Sequence, residues 1–98
     1  MGAAVRTLEN FVGGAWAASS GDRAVDDLNP ADPSDVLARV PLSPAADAVA
    51  AVDAAEEAFP AWRSMSPLRR GQILARASRV LESRQEEIAR LITREQGK

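Results

Sequence analysis

Short apolar runs alternate with turn-forming residues in the first forty positions, a pattern typical of β-hairpins. Leu8 to Ala17 holds two such runs, Phe-Val and Ala-Trp, on either side of Gly13-Gly14. Adjacent glycines suit a two-residue hairpin turn, because both turn positions need a positive φ. We therefore predict a hairpin here. A phosphate-binding loop is disfavoured, since the spacing of nucleotide-binding motifs is missing and no helical pattern follows.

Two further strands are predicted before residue 41. Val25 to Asn29 ends at an Asn-Pro pair, and Val36 to Val40 ends at Pro41. Between them, Ala31 to Asp35 is interpreted as a turn that contains Pro33. The strands are short and their alternation is uneven, which suggests hairpins on the edge of a larger structure.

The apolar spacing changes to a helical period after the strands. Ser43 suits the N-cap and Pro44 suits the first helical position, where the missing N–H of proline costs nothing. An apolar stripe at helical spacing follows; its larger members are Val49, Val52 and Phe59. We predict a helix over residues 43–59, which Pro60 ends or restarts.

A second helix is predicted over residues 66–96. It starts with the same pair, Ser66 as N-cap and Pro67 as the first helical residue, and Gly97 suits its carboxyl end. The apolar positions follow the 3.6-residue period; they are Ile73, Leu74, Ala77, Val80, Leu81, Ile88, Leu91 and Ile92. The connector is so short that the two helices are expected to turn back on each other.

The apolar face of the second helix is wider than the first helix can cover. The first helix offers mainly alanine and valine, which bury little area, and the hairpins are short. Other protein must therefore cover the rest of this face, or the chain associates with itself.

The residue inventory excludes most catalytic chemistry. The 98 residues contain no His, no Cys and no Tyr, and the only Lys is Lys98. These absences exclude a Ser-His-Asp triad, a thiolate nucleophile and a zinc site built on His or Cys. We therefore expect no catalytic, cofactor-binding or metal-binding residue in this chain. The lack of Cys also fits a reducing compartment, so the cytoplasm is the expected location.

Charge is divided between the two halves of the chain. Residues 1–61 carry 3 basic and 10 acidic side chains, whereas residues 62–98 carry 9 basic and 4 acidic ones. A basic helix that binds nucleic acid is one reading. The net charge of the whole chain is −2, and its basic half still contains four carboxylates. These features favour instead two elements of opposite charge that lie beside each other or beside other protein. No apolar stretch is long enough for a membrane span.

The order of these segments resembles the amino-terminal part of the NAD(P)-dependent aldehyde dehydrogenases. The resemblance covers almost all of residues 8–98, and order and spacing make it specific. Its matching phrases are FVGGAW with Gly14 and Trp16, Asn29-Pro30, AFPAW over residues 58–62, Arg70 with Ile73 and Leu74, and Glu95 with Gly97-Lys98.

The resemblance implies an α/β fold of aldehyde dehydrogenase type, of which this chain forms a part. Residues 1–98 would be an amino-terminal fragment of the cofactor-binding domain, with short strands over 8–40 and two antiparallel helices over 43–59 and 66–96. The family oxidises aldehydes to carboxylic acids with NAD or NADP through a cysteine thioester, and its members are oligomeric. Glu95 does not stand in the context of the family's catalytic glutamate.

Three hypotheses follow. The first is a truncated aldehyde dehydrogenase that is inactive alone and whose partner is the remainder of the fold. The second is a stand-alone helical interaction module that binds a partner through the face from Ile73 to Ile92. The third, a helix that binds nucleic acid, is the least favoured.

Overall fold

The structure is a computed structural model that describes residues 4–98. Four strands precede three helices. The strands are β1 (Asn10–Val12), β2 (Ala15–Ala17), β3 (Ala24–Asn29) and β4 (Asp32–Pro41); the helices are α1 (Ala45–Ser64), α2 (Pro67–Ser83) and α3 (Gln85–Gln96).

Strands β1 and β2 form the predicted hairpin. Phe11 lies opposite Trp16 in the antiparallel register, and the two rings pack in a tilted arrangement, with centroids 4.9 Å apart and an interplanar angle of 58°. The turn places Gly13 at φ 61° and Gly14 at φ 81°. Both values belong to the left-handed region, so the glycine pair supplies the turn geometry as expected.

Strands β3 and β4 form a second antiparallel hairpin, in which Val25 pairs with Val40. The turn predicted at 31–35 is wrong, because β4 already begins at Asp32. The register moves from Leu28 opposite Val36 to Asn29 opposite Asp32, so the residues between them bulge out. Pro33 lies in this irregular stretch, where its missing N–H removes no regular ladder bond.

Helix α1 differs from the prediction at both ends. It begins at Ala45 with Pro44 as N-cap, and no side chain caps it. The hydroxyl of Ser43 donates instead to Ser19 Oγ at 3.0 Å. The helix then continues through Pro60 to Ser64, so the end predicted at residue 59 is wrong. One proline removes a single backbone donor, and the surrounding residues keep the helical conformation.

The helix predicted over 66–96 is in fact two helices. Ser66 caps α2 as expected, accepting a bond from the Arg69 backbone N–H at 3.2 Å. The helix is interrupted at Arg84, whose φ of −110° and ψ of 19° are not helical. Beside the break, the Ser83 hydroxyl donates to the Val80 carbonyl, a local bond that competes with the helical ladder. Gly97 ends α3 at φ 71°, as predicted.

Packing between these elements is sparse. The main contacts of the helices are those of α1 with β1 and of α3 with β3. Within residues 4–98, α1 and α2 share no contact of similar extent. Close packing between the first two helices, expected from the short connector, is therefore not among the main contacts of the structure. The segment before β1 joins the second hairpin, since the Leu8 N–H donates to the Arg39 carbonyl at 2.9 Å.

The chain has almost no core. Among residues 4–98 only Ala38, in β4, is buried. The radius of gyration is 17.1 Å, against about 12.6 Å for a compact domain of this length. The accessible surface is 7988 Å², against roughly 5,400 Å² for a folded monomer of this mass. About a third of the surface is therefore in excess of what a self-sufficient domain exposes.

Candidate interaction surface

Large apolar side chains lie exposed along the helices. Leu74, Leu81 and Ile92 are 62%, 60% and 53% exposed. Across α1, α2 and α3, all of which lie within the described residues, no residue is buried. The uncovered apolar face expected from the sequence is thus present, and its area makes it the main candidate for a functional surface.

The break at Arg84 changes the shape of this face. Because α2 and α3 are separate helices, their apolar side chains meet in an open groove of about 560 Å³. Its apolar lining comes from Leu81 on α2 and from Ile88 and Ile92 on α3. The sequence pattern identified these residues but placed them on one straight stripe. The break has no glycine or proline to signal it, so the groove was missed.

A second apolar surface lies on the amino-terminal side. Phe11 and Trp16 on the first hairpin are 61% and 64% exposed. Between this hairpin and the alanine-rich middle of α1 lies an open cleft of about 550 Å³. Val49 and Val52 on α1 are exposed as well. The narrow stripe of α1 is therefore also uncovered.

A charged cluster joins α3 to the second hairpin. Arg94 donates to both oxygens of Asp35, from Nη2 at 2.6 Å and from Nε at 3.0 Å. Asn29 Nδ2 donates to the same carboxylate at 3.2 Å. The Arg94 hydrogen bonds, with that of Asn29, lower the pKa of Asp35 from 3.8 to about 2. The carboxylate therefore stays ionised throughout the neutral and mildly acidic range.

A second carboxylate joins α1 to the loop after β2. Asp47, in the first turn of α1, accepts from the backbone N–H of Ser20 at 2.9 Å and from its hydroxyl at 2.5 Å. Ser19 Oγ adds a longer bond at 3.3 Å. The bonds from Ser20 lower the pKa of Asp47. Neither contact was predicted from the sequence, because the partners lie 27 and 59 positions away along the chain.

Potential metal ligands are dispersed over the part of the chain that the structure describes. No group of three potential ligands comes together anywhere in residues 4–98. Gly13-Gly14 lies in a hairpin turn, and a strand rather than a helix follows it, so the pair does not fit the pyrophosphate of NAD(P). Glu95 lies beside Asp27, and a hydrogen bond between the two carboxyls raises the pKa of Glu95. None of the helices described is long and apolar enough to cross a bilayer.

Comparison with known proteins identifies the family of this chain. A model described as "Aldehyde dehydrogenase family" matches residues 16–98. The chain belongs to the aldehyde dehydrogenase family. The resemblance inferred from the sequence is thereby confirmed.

Curated relatives of this aldehyde dehydrogenase chain include semialdehyde dehydrogenases. Malonate-semialdehyde dehydrogenase 2 of Geobacillus thermodenitrificans is 46% identical over 93 residues, which are 95% of this chain and 19% of the relative. The mitochondrial methylmalonate-semialdehyde/malonate-semialdehyde dehydrogenase [acylating] of Rattus norvegicus is 45% identical, over 96% of this chain and 17% of its own length. The chain thus spans about a fifth of the curated relatives it matches.

The fold has a solved counterpart. A crystal structure of an aldehyde dehydrogenase from Bartonella henselae matches with a TM-score of 0.89 and 24% sequence identity. The match covers 96% of this chain and 20% of that structure. Strand pairs followed by helices, in an arrangement that belongs to a larger aldehyde dehydrogenase fold, are therefore confirmed; three helices replace the two expected.

Proposed function

We propose that this chain is a structural segment of an NAD(P)-dependent aldehyde dehydrogenase, the amino-terminal part of its cofactor-binding domain. One observation carries the proposal. A chain that spans about a fifth of its relatives exposes apolar faces on all three helices and buries only Ala38 among residues 4–98. Such faces need cover from further protein, which the remaining four-fifths of the fold would provide.

By itself the chain is expected to have no dehydrogenase activity. The family's reaction needs a cysteine thiolate to attack the aldehyde, and none of the 98 residues is Cys. We also expect no binding of NAD or NADP by the isolated chain, since the only glycine pair belongs to a hairpin turn. The catalytic, cofactor-binding and oxyanion-stabilising groups would come from the rest of the protein.

The substrate of the complete protein is proposed from its relatives. Those named above act, by their names, on malonate semialdehyde or methylmalonate semialdehyde. We propose that the protein to which this segment belongs oxidises a short semialdehyde of this kind. Its partners would be the remainder of the fold and further copies of itself. We propose a cytoplasmic location, without a nucleic-acid or membrane partner.

A chimera tests the structural role and the lack of independent activity together. The matching segment of the Geobacillus thermodenitrificans enzyme is replaced by this chain, and NAD(P)H formation from malonate semialdehyde is measured. The chimera is expected to be soluble and active. The isolated chain at the same concentration is expected to give no turnover and no heat of binding with either cofactor.

Two results would contradict the proposal. An insoluble or inactive chimera would show that the segment does not fit the family fold. Turnover by the isolated chain, or a dissociation constant tighter than about 1 mM for NAD or NADP, would show that it carries a site of its own. The unmodified Geobacillus enzyme is the positive control in both assays.

A further inference from the structure

Helix α3 is attached to the β3–β4 hairpin by polar groups and by a close backbone approach. No residue of α3 is buried, so apolar burial gives its position little specificity. The contacts that are directional all lie near its carboxyl end. They involve Asp35 and Asn29 on the hairpin and Arg94 and Gly97 at the end of the helix.

The Arg94–Asp35 pair has the geometry of the stronger ion pairs. Both oxygens of the carboxylate are used, at 2.6 and 3.0 Å, and both side chains are part-buried. A bidentate pair fixes orientation as well as distance, because the guanidinium and the carboxylate must be coplanar. Asn29 holds the same carboxylate from the hairpin side. The pair therefore determines how α3 is rotated relative to the hairpin.

Gly97 brings the helix end against the hairpin turn. A Cβ at this position would lie 2.9 Å from the backbone N of Ala31 and 3.2 Å from Pro30 Cβ. Its φ of 71° is also unfavourable for any residue with a side chain. The glycine thus serves two purposes: it ends the helix, and it allows the two backbones to approach.

We propose that Asp35, Arg94 and Gly97 form a strap that fixes the orientation of α3 before other protein covers it. The strap closes a long loop of chain. It also keeps the side chains of Ile88, Leu91 and Ile92 facing one way, where further protein can cover them. This inference rests on the proposed function, since it takes further protein to cover α3, and it goes beyond that function by assigning the orientation of α3 in the free chain to these three residues.

The chain offers a matched control for the strap. Arg84 also donates twice to one carboxylate, that of Glu87, at 3.2 Å for both bonds. That pair lies within three residues along the chain and joins no other element. Replacing Arg84 by Gln therefore removes the same kind of ion pair without touching the attachment of α3 to the hairpin.

Distance measurement between spin labels tests the strap directly. The chain has no Cys, so labels can be placed at Val25→Cys on β3 and Arg90→Cys on α3 without side reactions. Pulsed electron paramagnetic resonance of the doubly labelled chain, diluted into an excess of unlabelled chain so that distances between associated copies do not contribute, should give one narrow distance distribution. Arg94→Gln and Asp35→Asn should each broaden it at least twofold, whereas Arg84→Gln should leave it unchanged. Circular dichroism should show the same helix content in all of them.

The outcomes separate clearly. A broad distribution in the parent chain, or a narrow one that persists in Arg94→Gln, would overturn the proposal. Equal broadening by Arg84→Gln and Arg94→Gln would also overturn it, because the effect would then come from general loss of charge. Partial recovery in Arg94→Lys, which keeps the charge but loses the fork, would support the role of bidentate geometry.

Discussion

The β3–β4 hairpin and the three helices are ordered by different forces. The hairpin has backbone pairing along most of its length, interrupted by the bulge near its turn, and it contains Ala38, the one buried residue of the described chain. The backbone groups of the helices form their hydrogen bonds within each helix, and no residue of the three helices is buried. Their local structure comes from helical hydrogen bonds and end residues, such as Ser66 and Gly97. Their mutual placement has no apolar core to define it, and this difference marks the helices as the surface that needs a partner.

The two carboxylates that attach helices to strands show the same division. Asp47 belongs to a helix and reaches a loop after the first hairpin, whereas Asp35 belongs to a strand and reaches α3. In both cases the contact between two elements is made by one exposed or part-buried carboxylate, whereas a compact domain would use packed apolar side chains. Such contacts orient elements, but in water they contribute little stability.

The largest effect is expected from Leu81→Asp in the groove. In the isolated chain this change should reduce self-association and dye binding, because a charge replaces an exposed apolar side chain. In the chimera described above the same change should destabilise the fold by roughly 3 kcal/mol or more, since it removes buried apolar area and leaves an unpaired charge. Sedimentation and urea unfolding measure the two effects.

Leu68→Asp is the matched control for Leu81→Asp in the isolated chain. Leu68 is 75% exposed and does not line the groove; a spacing of 13 residues places it on another side of the helix. Its substitution adds the same charge but should reduce association much less. A parent chain that is monomeric, binds no dye and melts sharply would show that the helices need no partner.

Substitution of two glycines by alanine is expected to change stability by a smaller amount, and in opposite directions. In the chimera, Gly97→Ala should destabilise the fold by about 1–2 kcal/mol, because a side chain at positive φ is strained, and the clash with Ala31 adds to this. Gly71→Ala should stabilise it by about 0.5–1 kcal/mol, since it lies within α2 with open space around its added Cβ. Urea unfolding followed by circular dichroism measures both. Equal effects would refute the special role of Gly97.

The smallest effect is expected from pH. Hydrogen bonds from Arg94 and Asn29 lower the pKa of Asp35 to about 2, so its contribution to stability is complete above about pH 4 and is lost as pH falls towards 2. The lowered pKa of Asp47 acts in the same direction. The raised pKa of Glu95 acts oppositely: its contribution declines as pH rises through that pKa. The urea midpoint should therefore fall at acid pH.

Arg94→Gln is the control for the acid response. Without its partner, Asp35 should titrate closer to its ordinary pKa of 3.8, and the loss of stability between pH 4 and pH 2 should become shallower. An acid response of unchanged steepness in this variant would assign the effect to Asp47 or to other carboxyls.

The local elements could be predicted from the chain because their signals are local. Gly13-Gly14 set the first turn, Ser66-Pro67 began α2, Gly97 ended α3, and the apolar spacing gave the face that remains uncovered. Three boundaries were wrong for one reason. A helix can tolerate Pro60, a strand can hold Pro33 in a bulge, and a helix can break at Arg84 without a glycine or proline, so residue preference alone does not decide them.

What the sequence determined by itself is the family, the absence of cysteine and the presence of an uncovered apolar face. These depend on residue types and spacing, which are read directly. Only the tertiary structure decided that α1 has its main contact with β1, that the apolar face bends into a groove, and that Asp35 meets Arg94 across 59 residues. Such contacts depend on how several marginal elements are placed together in space, and no local pattern along the chain encodes that placement.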